Sequence, residues 1–280
     1  MDDAKPSRTA LRVALRRAAH QLYDTPVVFE DRIAVPILGK TYEEELWRVG
    51  AEPERPFTIA MRAFLVARSR YAEENLSRAV NGGVSQYVLL GAGLDTFAYR
   101  NPHPGLRVFE VDHPATQAWK RELLARAGIR VPENLTFVPV DFESQYLPDE
   151  LGSVGFDFDA PAFFGWLGVV PYLTIEAFRA TLRFIAQRPP GSGVTLDYGQ
   201  PREALPVLER MACDALAARV RFAGEPFRLF FTPAQMAAEL EGFRIIEDQG
   251  SKEINARYFD GRKDRLGLKG SAGRLLCAWR

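Results

Sequence analysis

The sequence predicts an α/β protein with a Rossmann-like, doubly wound and mostly parallel sheet. Three observations predict it. Short aliphatic runs alternate with helical patterns through the middle of the chain, as they do where parallel strands are joined by crossover helices. The first such run, Gln86 to Leu90, passes straight into Gly91-Ala92-Gly93. Two later runs end in an aspartate, Asp112 and Asp141, which puts acidic groups at the carboxyl edge where open sheets bind ligands.

Residues 1 to about 80 read as mostly helical. Leu11, Leu15, Ala18, Ala19 and Leu22 fall at helical spacing within Ala10 to Tyr23. Asp24-Thr25-Pro26 ends that pattern, because a proline pushes its predecessor out of the α region. Phe57 to Val80 is a second long pattern, with Phe64, Leu65, Ala72, Leu76 and Val80 on one face and Asn81-Gly82-Gly83 as its stop. Gln86 to Leu90 is the first strand, apolar enough for burial on both faces. The second is Arg107 to Val111, ending in Asp112; a helix over Ala115 to Ala127 follows Pro114 and stops at Gly128. Leu135 to Val140 is the third strand, Ala162 to Val170 the fourth and Val194 to Asp197 the fifth. Thr174 caps a helix running to Gln187 between the last two. Helices are predicted over Arg202 to Arg221 and Thr232 to Glu241, and strands over Arg244 to Asp248 and Arg274 to Trp279. The stretch between those two strands is polar and Gly-rich. It reads as a loop, which makes this pair an antiparallel edge without an intervening helix.

The 280 residues carry no formal net charge, with 47% hydrophobic and 26% charged residues. Such a chain can bury a full core, and the lack of a basic excess argues against nucleic acid as its main partner. Two cysteines, Cys213 and Cys277, are too few for a disulfide framework and are expected as buried thiols. His20, His103 and His113 show no metal-ligand spacing, so no metal is expected. The start of the chain is polar, no apolar run is long enough to span a bilayer, and a cytoplasmic location is expected. A single domain is predicted: a helical cap over 1–80, a binding core over 84–199, lid helices over 200–232, and a C-terminal helix and strand pair over 233–280.

Leu89-Leu90-Gly91-Ala92-Gly93-Leu94-Asp95-Thr96 is the strongest local signal. Glycine lets the backbone approach a ligand closely, but the third glycine of a dinucleotide fingerprint is replaced by Thr96. About 20 residues on, Glu110-Val111-Asp112 places a carboxylate where it can accept from both hydroxyls of a ribose. Asp141 can accept from the amino group of an adenine while Phe142 packs on the base. Two acidic strand ends after one glycine turn favour a nucleoside without a pyrophosphate.

GAGLDTFAYR, FEVDHPA, VPVDFES and WLGVVPYL together resemble the leucine carboxyl methyltransferase family, in particular its actinobacterial small-molecule branch. AHQLYDTPVVFEDRIA and ARSRYAEENL are similar to the family's leading segments. The resemblance implies a class I methyltransferase fold, a seven-stranded sheet with an antiparallel C-terminal strand, a helical cap, and S-adenosyl-L-methionine (SAM) as cofactor. It implies that Gly91, Ala92 and Gly93 pass beside the cofactor, that Asp112 holds the ribose, and that Asp141 and Phe142 frame the adenine. Arg68 matches an arginine that pairs with the carboxylate of the methionine moiety, and Arg12 or Arg16 can supply an assisting cation from the first helix. Protein-carboxyl members carry a glutamate where this chain has Leu167, which favours a small acceptor over a protein C-terminus. The family favours methylation of oxygen, on a carboxylate or a hydroxyl.

Aromatic residues crowd Phe163-Phe164-Gly165-Trp166 and Phe222 to Phe231, as a pocket for flat, polyketide-like secondary metabolites would. Tyr23, Trp166, Tyr172 and Tyr198 are the candidate substrate-pocket residues. His20 and the tyrosines are available as general bases, but none has a distinctive spacing and no catalytic residue is assigned. Two alternatives stand beside this reading: a non-catalytic sensor of SAM or a nucleotide, and an NAD-dependent oxidoreductase.

Overall fold

The computed structural model describes residues 6–51, 56–142, 145–222, 224 and 226–280. Glu143 and Ser144 of VPVDFES, and Ala223 and Glu225 of the aromatic 222–231 stretch, lie outside the described residues. Among the described residues, α1 (Arg8–Tyr23), α2 (Glu43–Ala51) and α3 (Pro56–Asn81) precede the sheet. Ser7 starts α1 by accepting from the Ala10 N–H at 3.1 Å, which satisfies one donor that the first turn leaves open. Of the α1 face read from the sequence, Leu15, Ala18 and Ala19 are buried and Leu11 is half-buried, whereas Leu22 is exposed near the end of the helix and Ala14 takes a buried place instead.

The sheet then alternates with helices: β1 (Gln86–Leu90), β2 (Arg107–Asp112), α4 (Pro114–Arg126), β3 (Leu135–Pro139), α5 (Leu147–Ser153), β4 (Ala162–Trp166), α6 (Ile175–Ala186) and β5 (Gly193–Gly199). The chain continues through α7 (Val207–Phe222), α8 (Pro233–Glu239), β6 (Ile245–Gln249), α9 (Ser251–Tyr258) and β7 (Gly273–Trp279). Strand order is β3-β2-β1-β4-β5-β7-β6. β1 to β5 pair in parallel, and β7 runs antiparallel to both β5 and β6. This is the expected class I arrangement, with one reversed strand near the edge. The order changes direction at β1 and β4, so their carboxyl ends open onto a crevice.

Each face of the sheet carries its own core. One contains Ala18, Val66, Tyr71, Tyr87, Phe163 and Cys277; the other contains Val88, Phe109, Phe164, Trp166, Phe178 and Leu196. Successive residues of a strand point to opposite faces, so Phe163 and Phe164 serve different cores.

Three predicted elements are corrected. The fourth strand ends at Trp166 rather than Val170, because Gly168 adopts φ +71 and Val170–Tyr172 forms a short 3-10 turn. The helix expected from Arg202 begins at Val207: Pro206 holds Leu205 extended, and only a 3-10 turn spans Arg202–Ala204. The last two strands do have a helix between them. α9 starts where the Glu253 carboxylate accepts from the Gly250 N–H at 3.0 Å, and it buries Ile254 and Tyr258. No helix among the described residues is long and apolar enough to cross a membrane.

Candidate functional site

Two cavities adjoin at the carboxyl edge of the sheet. The smaller is about 290 Å³ and is walled by the turn after β1, by Asp112, by Val140 to Phe142 and by the Leu167–Val169 loop after β4. Ser7, Thr9, Ala10, Val13, Ala14 and Arg17 of the α1 region close it on one side. The larger, about 760 Å³, lies between α1, α3, α7 and the segment after β5. Thr9, Val13, Arg68, Gly168 and Tyr172 line both.

The glycine turn earns its sequence. Gly91 and Gly93 have φ +68 and +49, a region costly for residues with a Cβ. A Cβ on Gly91 would also lie 2.3 Å from Val169, so this glycine admits the loop after β4. The Gly93 N–H donates to Asp112, whose other oxygen accepts from the His113 N–H at 2.7 Å. Burial nevertheless pushes the Asp112 carboxyl above its ordinary value, with those two N–H groups opposing it. A group so placed gains by accepting further hydrogen bonds from a ligand.

Thr96, which breaks the dinucleotide fingerprint, has a job of its own. Its hydroxyl donates to Asp31 at 2.7 Å and accepts from Arg17 at 2.7 Å and from Arg100 at 3.2 Å. Arg17 also pairs with Asp31 and with Asp95. This buried network ties α1 to the glycine turn. Burial acts to raise the Asp31 carboxyl, but Arg17, Arg100 and Thr96 together hold it below its usual range. Arg17 was legible only as one more helical arginine, since its partners lie in distant segments. Behind the turn, Glu110 pairs with Lys120 at 2.7 Å, both fully buried. Burial pushes the Glu110 carboxyl up to about 7 despite that cation.

Arg68, Gly91, Ala92, Gly93, Asp112, Asp141 and Phe142 all line the smaller cavity. Leu167 lines it too, and Arg12 and Arg16 line the larger one, one turn apart on α1. Of the four tyrosine and tryptophan candidates, Tyr172 borders both cavities and Tyr198 borders the larger. The other two are corrected. Trp166 is fully buried on the opposite face of β4, stacked on Phe178 with ring centroids 5.4 Å apart, and borders neither cavity. Tyr23 sits half-exposed at the end of α1 and borders neither.

Phe227 and Phe230 of the aromatic stretches line the larger cavity; Phe163, Phe164 and Phe231 are core. His20 is also committed to the core, its Nδ1 on Asp24 at 2.7 Å and its Nε2 accepting from the Val28 N–H at 2.9 Å. The Tyr198 hydroxyl donates to Asp248 at 2.7 Å. Cys277 is buried as expected, whereas Cys213 is half-buried on α7 and lines the larger cavity.

Beyond this crevice, the chain resembles known proteins in sequence and in fold. The leucine carboxyl methyltransferase pattern matches residues 10–186. The chain belongs to that family. YktD of Bacillus subtilis, named a candidate S-adenosyl-L-methionine-dependent methyltransferase, is 33% identical over 285 residues, 93% of either chain. A similarly named Mycobacteroides abscessus protein is 34% identical over 210 residues, 73% of this chain and 67% of its own. Among solved structures, a candidate methyltransferase from Thermobifida fusca superposes with a TM-score of 0.62 at 19% identity, covering 100% of this chain and 96% of its own. A DUF574 protein from Streptomyces avermitilis superposes at 0.57 with 21% identity, covering 95% and 96%. These two show the same fold.

The residues of this family member fit SAM. The small cavity offers carboxylate acceptors for sugar and base, an aromatic ring at Phe142 and a guanidinium at Arg68. A Cβ at Gly168 would press within 2.8 Å of that guanidinium, so the glycine keeps room for it on the cavity wall.

Proposed function

We propose that this chain, a SAM-dependent methyltransferase, transfers a methyl group to an oxygen of a small-molecule acceptor, a carboxylate or a hydroxyl. The larger cavity carries this reading. It is about 760 Å³, within the size range of small-molecule pockets, and its walls are mostly apolar, including Met61, Phe64, Leu216, Phe227 and Phe230. Such walls suit a flat, polyketide-like secondary metabolite. In this reading 1–80 form a cap, 84–199 the cofactor core, 200–232 a lid, and 233–280 complete the sheet.

When bound, SAM supplies a methyl group on a positively charged sulfur. Asp112 accepts from the ribose hydroxyls, Asp141 accepts from the adenine amino group and Phe142 packs on the ring. Arg68 holds the methionine carboxylate. Thr9, Val13 and Tyr172, at the meeting of the two cavities, align the acceptor and exclude water. A carboxylate acceptor arrives ionised and needs no base. Arg12 and Arg16 favour an anionic acceptor by charge.

Calorimetric titration with SAM and, separately, NAD tests the cofactor. SAM binding is expected, with none for NAD. Asp112→Ala is expected to weaken SAM about 100-fold, the loss of two hydrogen bonds to a charged group. A screen of apolar carboxylic acids and phenols then tests the acceptor; tight SAM binding with no transfer to any of them would support a sensor instead.

A further inference from the structure

Arg68 reaches from α3 to the wall shared by the two cavities, where its side chain is 9% exposed. Its Nη1 donates to Asp197 Oδ2 at 3.0 Å. The other oxygen of Asp197 accepts from the Gly168 N–H at 2.5 Å. One carboxylate on β5 thus grips both α3 and the loop after β4. A Cβ on Gly168 would lie 2.8 Å from both Nη1 and Nη2, so the guanidinium rests against the bare face of the glycine. Asp197 borders the larger cavity only, whereas Arg68 and Gly168 border both.

A guanidinium is planar, so fixing one nitrogen and one face sets the directions of the remaining N–H groups. We propose that Asp197 is a positioning residue. It holds Arg68 flat against Gly168 so that the remaining N–H groups meet the methionine carboxylate in the smaller cavity. This rests on the reading that the smaller cavity takes SAM. Without Asp197 the arginine loses its anchor and has the larger cavity to turn into. A ligand that carries the carboxylate then binds more weakly, and one that lacks it does not.

Calorimetry with two probes separates these effects: S-adenosyl-L-homocysteine, and 5′-methylthioadenosine, which has the nucleoside and sulfur but no carboxylate. Asp197→Asn is expected to weaken S-adenosyl-L-homocysteine about tenfold or more, the scale of a lost hydrogen bond to a charged group. Methylthioadenosine is expected to stay within about twofold, because its contacts are distant from the change. Arg68→Lys is expected to weaken S-adenosyl-L-homocysteine too, and adding Asp197→Asn to it is expected to cost less than in the wild type. Equal losses for both probes in Asp197→Asn would overturn the inference by showing a general role in the fold. Unchanged S-adenosyl-L-homocysteine binding in Asp197→Asn, beside a weakened Arg68→Lys, would overturn it and leave the cofactor reading standing. A wild-type protein that bound neither probe would overturn both.

Discussion

The two cavities differ in what holds their walls. The smaller is built on strand ends and braced by buried ionic contacts: Arg17 with Asp31 and Lys120 with Glu110. The larger is walled in part by α7, whose outer side leaves Val207, Leu208 and Met211 mostly exposed. α7 is joined to the rest by contacts nearer the surface, such as Arg202 to Asp214 at 2.8 Å and Glu209 to the Ser271 N–H at 2.7 Å. A wall on a sheet edge cannot shift without disturbing the core, because packed interiors transmit strain. A wall made of an added helix can. The contrast therefore separates a part suited to one constant ligand from a part free to vary with the acceptor.

The sharpest way to break this contrast is at Trp166, which sequence reasoning places in the substrate pocket and the structure places in the core. Trp166→Ala is expected to cost about 3–5 kcal/mol of stability, as large-to-small core changes do. Denaturant unfolding measures it; a loss below about 1 kcal/mol with impaired acceptor turnover would return Trp166 to the pocket.

Lys120→Met tests the bracing behind the smaller cavity. It strands Glu110 in the core, at an expected cost of up to about 3–5 kcal/mol. The sign with pH follows from Glu110. Its carboxyl is raised in the folded chain from the ordinary 4.5 to about 7, so the folded state binds this proton more tightly than the unfolded state. Stability drawn from this group is present at low pH and falls as pH rises through that interval. Removing Lys120 raises the carboxyl further, so the variant's deficit is expected to be larger at about pH 8 than at about pH 5. Urea midpoints at the two pH values check this, and an equal deficit at both would mean that Glu110 does not titrate there.

The smallest expected effect on stability comes from filling the larger cavity. Ala217 lines it from α7 and is half-buried. Ala217→Trp is expected to change stability by less than about 1 kcal/mol. SAM affinity is expected to stay within about twofold while turnover of bulky acceptors is lost. If SAM binding fell in parallel, the two cavities would be one mechanical unit.

Much of this architecture was legible in the chain. β1, β2, α4, α6 and β7 lie within a residue or two of their predicted places, because apolar runs, prolines and glycines act over a few residues. The glycine turn and the two aspartates followed from the same local signals. α9 was missed because its apolar face is only Ile254 and Tyr258, too sparse to stand out in a polar stretch. Trp166 and Tyr23 were misplaced because aromatic character does not say which side of an element meets the cavity.

The sequence by itself determined the order of the strands along the chain, the strand ends that carry acid, and the family to which they belong. Those features are encoded by neighbours within one turn or one strand. Tertiary structure alone decided which distant groups share a wall. Arg68 and Asp197 stand 129 residues apart, and Arg17 and Thr96 stand 79 apart. Their meeting depends on sheet register and helix rotation, and shifting a strand's register by one residue turns every side chain to the other face.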